Sequence, residues 1–67
     1  MTYEEKIGKL IKEKRIQKKY TLRGLAKELR VAYQHIQAWE KGDFLPSLKH
    51  LIKICKILDL HIADFDF

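Results

Sequence analysis

Apolar residues recur along most of the chain at intervals of three and four, the spacing of helices with one buried face. The last group is broader than a single core-facing stripe, because Ile54 and Ile57 widen it. The pattern predicts an all-α domain. Its three apolar groups are Tyr3, Ile7, Leu10 and Ile11; Leu25, Ala26, Leu29, Val31, Ile36 and Trp39; and Leu48, Leu51, Ile52, Cys55 and Leu58.

Capping residues predict where the helices begin and end. The segment from Thr2 to Glu5 has the T-x-x-E form of a capping box, so the first helix should begin there and stop near Lys18. Thr21 is a good N-cap for a second helix, and Ser47, directly after a proline, is a good N-cap for a fourth.

A second face is visible on the predicted third helix, where Tyr33, Gln34, Gln37, Ala38 and Lys41 recur at steps of three and four. This face is polar but carries no charge before the lysine. A glutamine amide can pair with adenine through two hydrogen bonds, so the face suits a helix that reads base edges in a DNA major groove. A solvated helix surface is the alternative that residue types leave open.

The length of 67 residues allows one domain, over residues 1–67, and the hydrophobic content of 46% argues for a folded one. Charge is unevenly distributed: residues 1–30 hold ten Lys and Arg against four Glu, a balance of +6. Residues 31–67 hold four Lys against five acidic residues, a balance of −1. A cationic half suits a polyanion such as DNA, although a lysine-rich soluble surface has the same composition.

Several classes of protein are disfavoured. Cys55 is the one cysteine, so no intrachain disulfide forms, and a reducing cytoplasm is the expected location. The three histidines show no metal-ligand spacing with it, so neither a metal nor another cofactor is expected. No signal peptide or membrane-spanning run is visible. No nucleophile–base pair or carboxylate dyad appears, so we expect neither an enzyme nor a small-molecule receptor.

An ordered set of residues resembles the helix-turn-helix domain of the Cro and phage-repressor family, often called XRE-type. The resemblance implies a five-helix bundle with a helix-turn-helix core at about residues 21–41. In such a fold the third helix enters the major groove and the second lies across the DNA backbone. The residues that carry the resemblance are Lys14 to Gln17, Leu25, Ala26, Val31, Ile36, Trp39, Glu40, Gly42, Pro46 to Leu48, and Ile62.

The resemblance also implies roles for particular residues. It pairs Arg15 with Glu40 as a structural ion pair between the first and third helices, and an arginine fork suits a carboxylate. The alternative for Arg15 is a phosphate-facing cation. The resemblance implies base reading by Tyr33, Gln34, Gln37 and Ala38, with Gln34 the leading candidate. Arg23, Lys41 and His35 are the candidates for contacts with the DNA backbone, and a neutral surface histidine is the alternative for His35.

The chain departs from the family at the predicted DNA surface. Leu22 stands where relatives commonly carry a phosphate-binding glutamine, and Ala32 replaces the usual Ser or Thr cap of the third helix. Asp43 would repel phosphate, and Phe44 follows it. At three corners the family favours Gly or Asn where this chain has Lys19, Arg30 and Asp59, which must accept a positive φ or form the corner differently.

Two functions fit these observations. The first is a sequence-specific transcriptional regulator, acting on double-stranded DNA as a homodimer and most simply as a repressor. The second is a protein-interaction module that keeps the fold without operator binding, for example an antitoxin or antirepressor component. The terminal residues Ile62, Phe65 and Phe67 suggest a C-terminal dimer interface. Alternatively, Ile62 and Phe65 fold back onto the monomer and Phe67 frays.

Overall fold

The computed structural model describes residues 1–65, which form four α-helices and one short 3-10 turn. The helices are joined by tight corners, except that a longer loop connects α3 to α4. This all-helical arrangement agrees with the predicted class. The elements are α1 (Tyr3–Gln17), α2 (Leu22–Leu29), α3 (Tyr33–Lys41), α4 (Leu48–Leu58) and the 3-10 turn (Ile62–Asp64).

The predicted caps are present. Thr2 Oγ1 accepts the Glu5 N–H at 3.1 Å, and the Glu5 carboxylate accepts the Thr2 N–H at 3.0 Å, which completes the capping box of α1. The bond from the Thr2 N–H, with a second from its hydroxyl, lowers the pKa of Glu5. Thr21 Oγ1 accepts the Gly24 N–H at 2.9 Å, and Ser47 Oγ accepts the His50 N–H at 3.3 Å. Local hydrogen bonds therefore set three of the four helix starts.

The predicted count of five helices is wrong for the described residues. Asp59 adopts a left-handed conformation that ends α4, and the Leu60 N–H returns to the Cys55 carbonyl at 2.8 Å. The following segment closes one 3-10 turn, in which the Asp64 carboxylate accepts the His61 N–H at 2.9 Å. Three residues satisfy the hydrogen bonds of a 3-10 turn but are too few for an α-helix.

The core is apolar and draws on every helix. In α4 its members are Ile54 and Leu58, whereas Leu48 is 70% exposed and Ile52 is 46% exposed. The sequence pattern assigned Leu48 and Ile52 to the core-facing stripe of α4, and the prediction is wrong for these two residues, which are exposed. The buried hydrophobic residues are Ile7, Ile11, Leu25, Ala26, Leu29, Ile36, Trp39, Ile54, Leu58, Leu60 and Phe65.

The backbones of α1 and α3 approach each other closely at Gly8. A Cβ atom at this position would collide with the Trp39 carbonyl oxygen and would lie 2.9 Å from the Glu40 carbonyl oxygen. Gly42, at φ 83°, turns the chain out of α3, and a Cβ there would lie 2.7 Å from Glu5 Cγ. At both Gly8 and Gly42, the close contact between α1 and α3 therefore requires a residue without a Cβ atom. This contact sets the direction of α3.

Three corners place residues with a Cβ in the left-handed region. Lys19 has φ 62°, Arg30 has φ 57° and Asp59 has φ 56°. For such residues this conformation is less favourable than for glycine. The three corners therefore adopt the conformation that glycine favours, with residues that carry a Cβ atom.

Candidate nucleic-acid interface

The exposed face of α3 contains the predicted reading residues. Gln34, Gln37 and Lys41 are exposed and Ala38 is half-buried, whereas the apolar side of the same helix packs into the core. Gln34, Gln37 and Ala38 have no ionisable side chain. Amide groups on a helix surface can donate and accept at base edges, so this face has the chemistry of a reading surface.

Tyr33 and Arg23 form a contact between α3 and α2. The guanidinium carbon of Arg23 lies 4.5 Å from the centroid of the Tyr33 ring, within the range of a cation–π interaction. Tyr33 is half-buried and Arg23 is exposed. The contact therefore joins Tyr33, which is predicted to contact bases, to Arg23, which is predicted to contact the DNA backbone. Sequence spacing could not show this, because the two residues belong to different helices.

A polar cleft of about 200 Å³ opens where α1, α2 and α3 meet. Because Arg15 pairs with the Glu40 carboxylate, the net positive charge of the cleft comes from Lys12 and Lys41. Lys12 received no role in the sequence-based prediction, because nothing but its position three residues before Arg15 distinguishes it from the other lysines of α1. The residues that line the cleft are Lys12, Arg15, Leu22, Gln37, Glu40 and Lys41.

The ion pair between Arg15 and Glu40 is present. Arg15 Nε donates to Glu40 Oε2 at 2.7 Å and Nη2 donates to Oε1 at 3.3 Å. The third nitrogen, Nη1, donates to the Tyr20 carbonyl oxygen at 2.9 Å. The side chains are only 11% and 8% exposed, so water competes little for these bonds. The pair joins α1 to α3 beside the cleft.

His35 and His50 flank the indole of Trp39. The ring centroids lie 6.5 Å apart for His35 and 5.7 Å apart for His50, and both pairs are tilted. His50 Nδ1 also lies 3.0 Å from Ser47 Oγ, at the start of α4. His35 is exposed, and its predicted backbone contact stays a prediction.

A family model described as helix-turn-helix matches residues 11–65. The chain belongs to the XRE-type helix-turn-helix family. It is 38% identical over 52 residues to the HTH-type transcriptional regulator DicA of Escherichia coli K12, a match that covers 78% of this chain and 38% of DicA. It is 37% identical over 54 residues to YgzD of Bacillus subtilis 168, named as an uncharacterized HTH-type transcriptional regulator. That match covers 81% of this chain and 82% of YgzD.

The fold resembles that of a solved regulator. Two crystal structures of the clp gene regulator ClgR from Corynebacterium glutamicum superpose with TM-scores of 0.88 and 0.87, each at 29% sequence identity. Each match covers 97% of this chain, and 69% and 83% of the two ClgR chains. The chain therefore spans 38% of DicA and most of YgzD and of the ClgR chains.

The family departures are visible at the surface. Ala32 occupies the N-cap of α3 and gives it no side-chain hydrogen bond, whereas the side chain of Thr21 caps α2. Leu22 lines the cleft where a glutamine would supply an amide. Asp43 is exposed, two residues after the end of α3. At Ala32 and Leu22 this face therefore offers fewer polar groups than the resemblance implies, and Asp43 adds a negative charge.

The C-terminal dimer prediction needs correction at Phe65. This side chain is 5% exposed and belongs to the core, so it offers almost no surface to a second copy. The position of Phe65 agrees with the alternative prediction, in which this residue folds back onto the monomer. Phe67 and the side chain of Ile62 lie outside the described residues.

Other candidate chemistry is sparse. In residues 1–65 no three side chains of His, Cys, Asp or Glu gather as a metal site, and no helix there has the length and apolar character to cross a membrane. Burial raises the pKa of the half-buried Cys55 thiol, and the Asp64 carboxylate adds to this effect. A raised pKa lowers the thiolate fraction, so Cys55 is suited to packing.

Proposed function

We propose that this protein is a transcription regulator that reads a specific DNA sequence with α3 and acts as a homodimer on a near-palindromic site. The observation that carries the proposal is the row of exposed amides on α3, Gln34 and Gln37, bordered by the cations Arg23, Lys12 and Lys41. The names of DicA and YgzD, both HTH-type transcriptional regulators, support it.

Base reading is assigned to α3 because its exposed amides match base edges. Gln34 lies in the first turn of α3, the part of a reading helix that enters deepest into a major groove. Its amide can donate to N7 and accept from N6 of adenine, and such a pair contributes about 1–3 kcal/mol of discrimination. Gln37 lies one turn further on, and Ala38 offers a methyl contact to thymine.

Backbone contacts set the register of the helix. Arg23 and Lys41 stand on α2 and at the end of α3, so they border the reading row from two sides. Lys12 extends this border onto α1, across the cleft from Lys41. Cations at fixed positions around a reading helix attract phosphates and orient the helix without reading sequence.

The direction of α3 is set by contacts with α1, and base reading requires a fixed direction. The Arg15–Glu40 pair and the close approach at Gly8 both hold α3 against α1. Hydrogen bonds to base edges depend strongly on distance and angle, so a helix free to rock would discriminate poorly. In a homodimer, two such helices would meet half-sites about 34 Å apart.

A second function is favoured by specific residues. Leu22 and Ala32 supply no polar group to this surface, and the Asp43 carboxylate would repel phosphate. Phe44, next to Asp43, is 67% exposed. These features suit a protein-interaction module, such as an antitoxin or antirepressor component, that has lost operator binding. This function ranks second because the exposed amides of Gln34 and Gln37 and the cations that border them are still present on the surface.

The two functions are separated by selecting bound sequences from a random pool of DNA duplexes. Regulator function predicts one enriched motif with two-fold symmetry, and the Gln34→Ala variant should lose the preference at one base in each half. A matched control, Glu28→Ala, changes an exposed residue of α2 that is assigned no contact, and it should enrich the original motif. Binding without any enriched motif, or no binding, would contradict the proposed regulator function.

A further inference from the structure

We infer that Arg23 is a positioning residue for base selection: it holds the ring of Tyr33 so that Tyr33 selects one thymine in each half-site through the 5-methyl group. Arg23 then does more than make the phosphate contact of the proposed function, on which the inference rests for DNA binding. The same side chain joins that phosphate contact to the choice of a base.

Tyr33 is the first residue of α3, and its ring contacts both the core and α2. The side chain is half-buried and packs against the buried core. The guanidinium carbon of Arg23 lies 4.5 Å from the ring centroid, so the cation covers one face of the ring. With the core on one side and Arg23 on another, the ring is left with its edge for contact with a base.

An aromatic edge suits the apolar group of the major groove, which is the 5-methyl group of thymine. Such a contact depends on dispersion, and a gap of about 0.5–1 Å loses a quarter to a half of it. A ring that could turn freely would therefore discriminate poorly. The contact with Arg23 restricts the ring, which is what selection by a methyl group requires.

The position of Arg23 in α2 is not explained by helix stability. Arg23 is the second residue of α2, and the N-terminal end of a helix carries a partial positive charge that disfavours a cation. Within residues 1–65 its guanidinium contacts the Tyr33 ring and forms neither a hydrogen bond nor an ion pair. Its N–H groups can therefore donate to a phosphate while the cation remains over the ring.

The start of α3 has no side-chain cap. Ala32 accepts the His35 N–H at 3.0 Å through its backbone carbonyl and supplies no side-chain hydrogen bond. The contact between Arg23 and Tyr33 ties this end of α3 to α2 instead. Removing the contact should free the ring without unfolding the helix, because the Arg15–Glu40 pair still joins α3 to α1.

The test measures how well each variant distinguishes thymine from uracil, which pairs like thymine but lacks the 5-methyl group. Duplexes carry the motif enriched from the random pool, with each thymine of one half-site replaced in turn by uracil, and binding is titrated over a range of salt. We expect wild type to prefer thymine about fourfold at one position, the contribution of one methyl group removed from water. Tyr33→Phe keeps the ring and should keep this ratio.

Variants of Arg23 separate its charge from its positioning role. Arg23→Ala should lose the thymine preference and also lower the slope of log K against log salt by about one unit. Arg23→Lys should keep the slope and still lose most of the preference, because an ammonium is compact, strongly hydrated and not planar.

Lys41→Ala is the matched control, since Lys41 is an exposed cation at the other end of α3. It should lower the slope and keep the thymine preference. Helical circular dichroism should be equal in the Arg23 and Lys41 variants, because both side chains are exposed.

Four outcomes would overturn the inference: no effect of uracil at any position in wild type, Arg23 variants with the wild-type ratio, a Tyr33→Phe variant that loses the ratio, or a Lys41→Ala variant that loses it equally. The third would assign the contact to the hydroxyl group. A wild type that enriches no motif overturns the proposed function as well. An enriched motif with an unchanged ratio in Arg23→Ala overturns the positioning role alone.

Discussion

The Arg15–Glu40 pair gives the sharpest test of how α3 is held. Arg15→Met keeps an unbranched aliphatic side chain and removes the guanidinium. The Glu40 carboxylate, 8% exposed, then loses two hydrogen bonds, and the Tyr20 carbonyl oxygen loses its bond to Arg15. Glu40→Met removes the carboxylate instead and leaves Arg15 bonded to the Tyr20 carbonyl.

The magnitudes follow from what each change leaves unpaired. A buried carboxylate deprived of its partner costs about 3–5 kcal/mol, so Arg15→Met should lose that much stability. Glu40→Met should lose less, about 2–3 kcal/mol, because the arginine keeps one acceptor and is the more exposed partner. The double variant should recover much of the loss, since apolar side chains of similar size can replace a buried pair.

The measurement is urea unfolding followed by circular dichroism, with thermal melting as a second reading. A domain of this size has a free energy of unfolding of about 3–10 kcal/mol. For a wild-type value near the lower end of this range, the Arg15→Met variant should be largely unfolded. Each kcal/mol should lower Tm by about 4–8 °C. Lys9→Met is the control, because Lys9 is exposed on the same helix, and its effect should stay within about 0.5 kcal/mol.

Two results would refute this reasoning. An Arg15→Met variant as stable as Lys9→Met would mean that the pair contributes nothing to holding α1 against α3. A double variant whose loss equals the sum of the single losses would mean that the two side chains are not coupled. In either case the angle of α3 would depend on apolar packing and the Gly8 contact.

Further predictions concern the reading face, the cleft and the corners. Gln34→Ala should cost about 1–3 kcal/mol at the preferred site and relax one base position, measured by titrating single-base variants; equal weakening on every sequence would make it a backbone contact. Lys12→Ala and Lys41→Ala should each lower the slope of log K against log salt by about one unit, and unchanged slopes would remove the cleft from the interface. Lys19→Gly and Arg30→Gly should each stabilise the fold by about 0.5–1 kcal/mol in urea unfolding, because both residues have positive φ; a loss in both would contradict the assignment of strain.

Local features of the structure were predictable from the sequence because they depend on residues close together in the chain. Thr2, Thr21 and Ser47 accept N–H groups three residues away, so their caps follow from short motifs. The exposed row on α3 follows from helical periodicity in the same way. The Arg15–Glu40 pair spans 25 residues, and it was foreseen from the family resemblance, since helix geometry does not relate residues so far apart.

The tertiary structure decided what depends on partners distant in the sequence. Periodicity predicts a broad apolar stripe on α4, and only packing against α1 and α2 determined that Ile54 lies inside while Leu48 lies outside. Phe65 is buried because the chain after α4 returns to the core, an outcome that the sequence left open beside a dimer contact. Lys12 gained significance only when α1 and α3 placed it across a cleft from Lys41. Burial and proximity are properties of the assembled helices, and a helical repeat specifies faces without specifying what covers them.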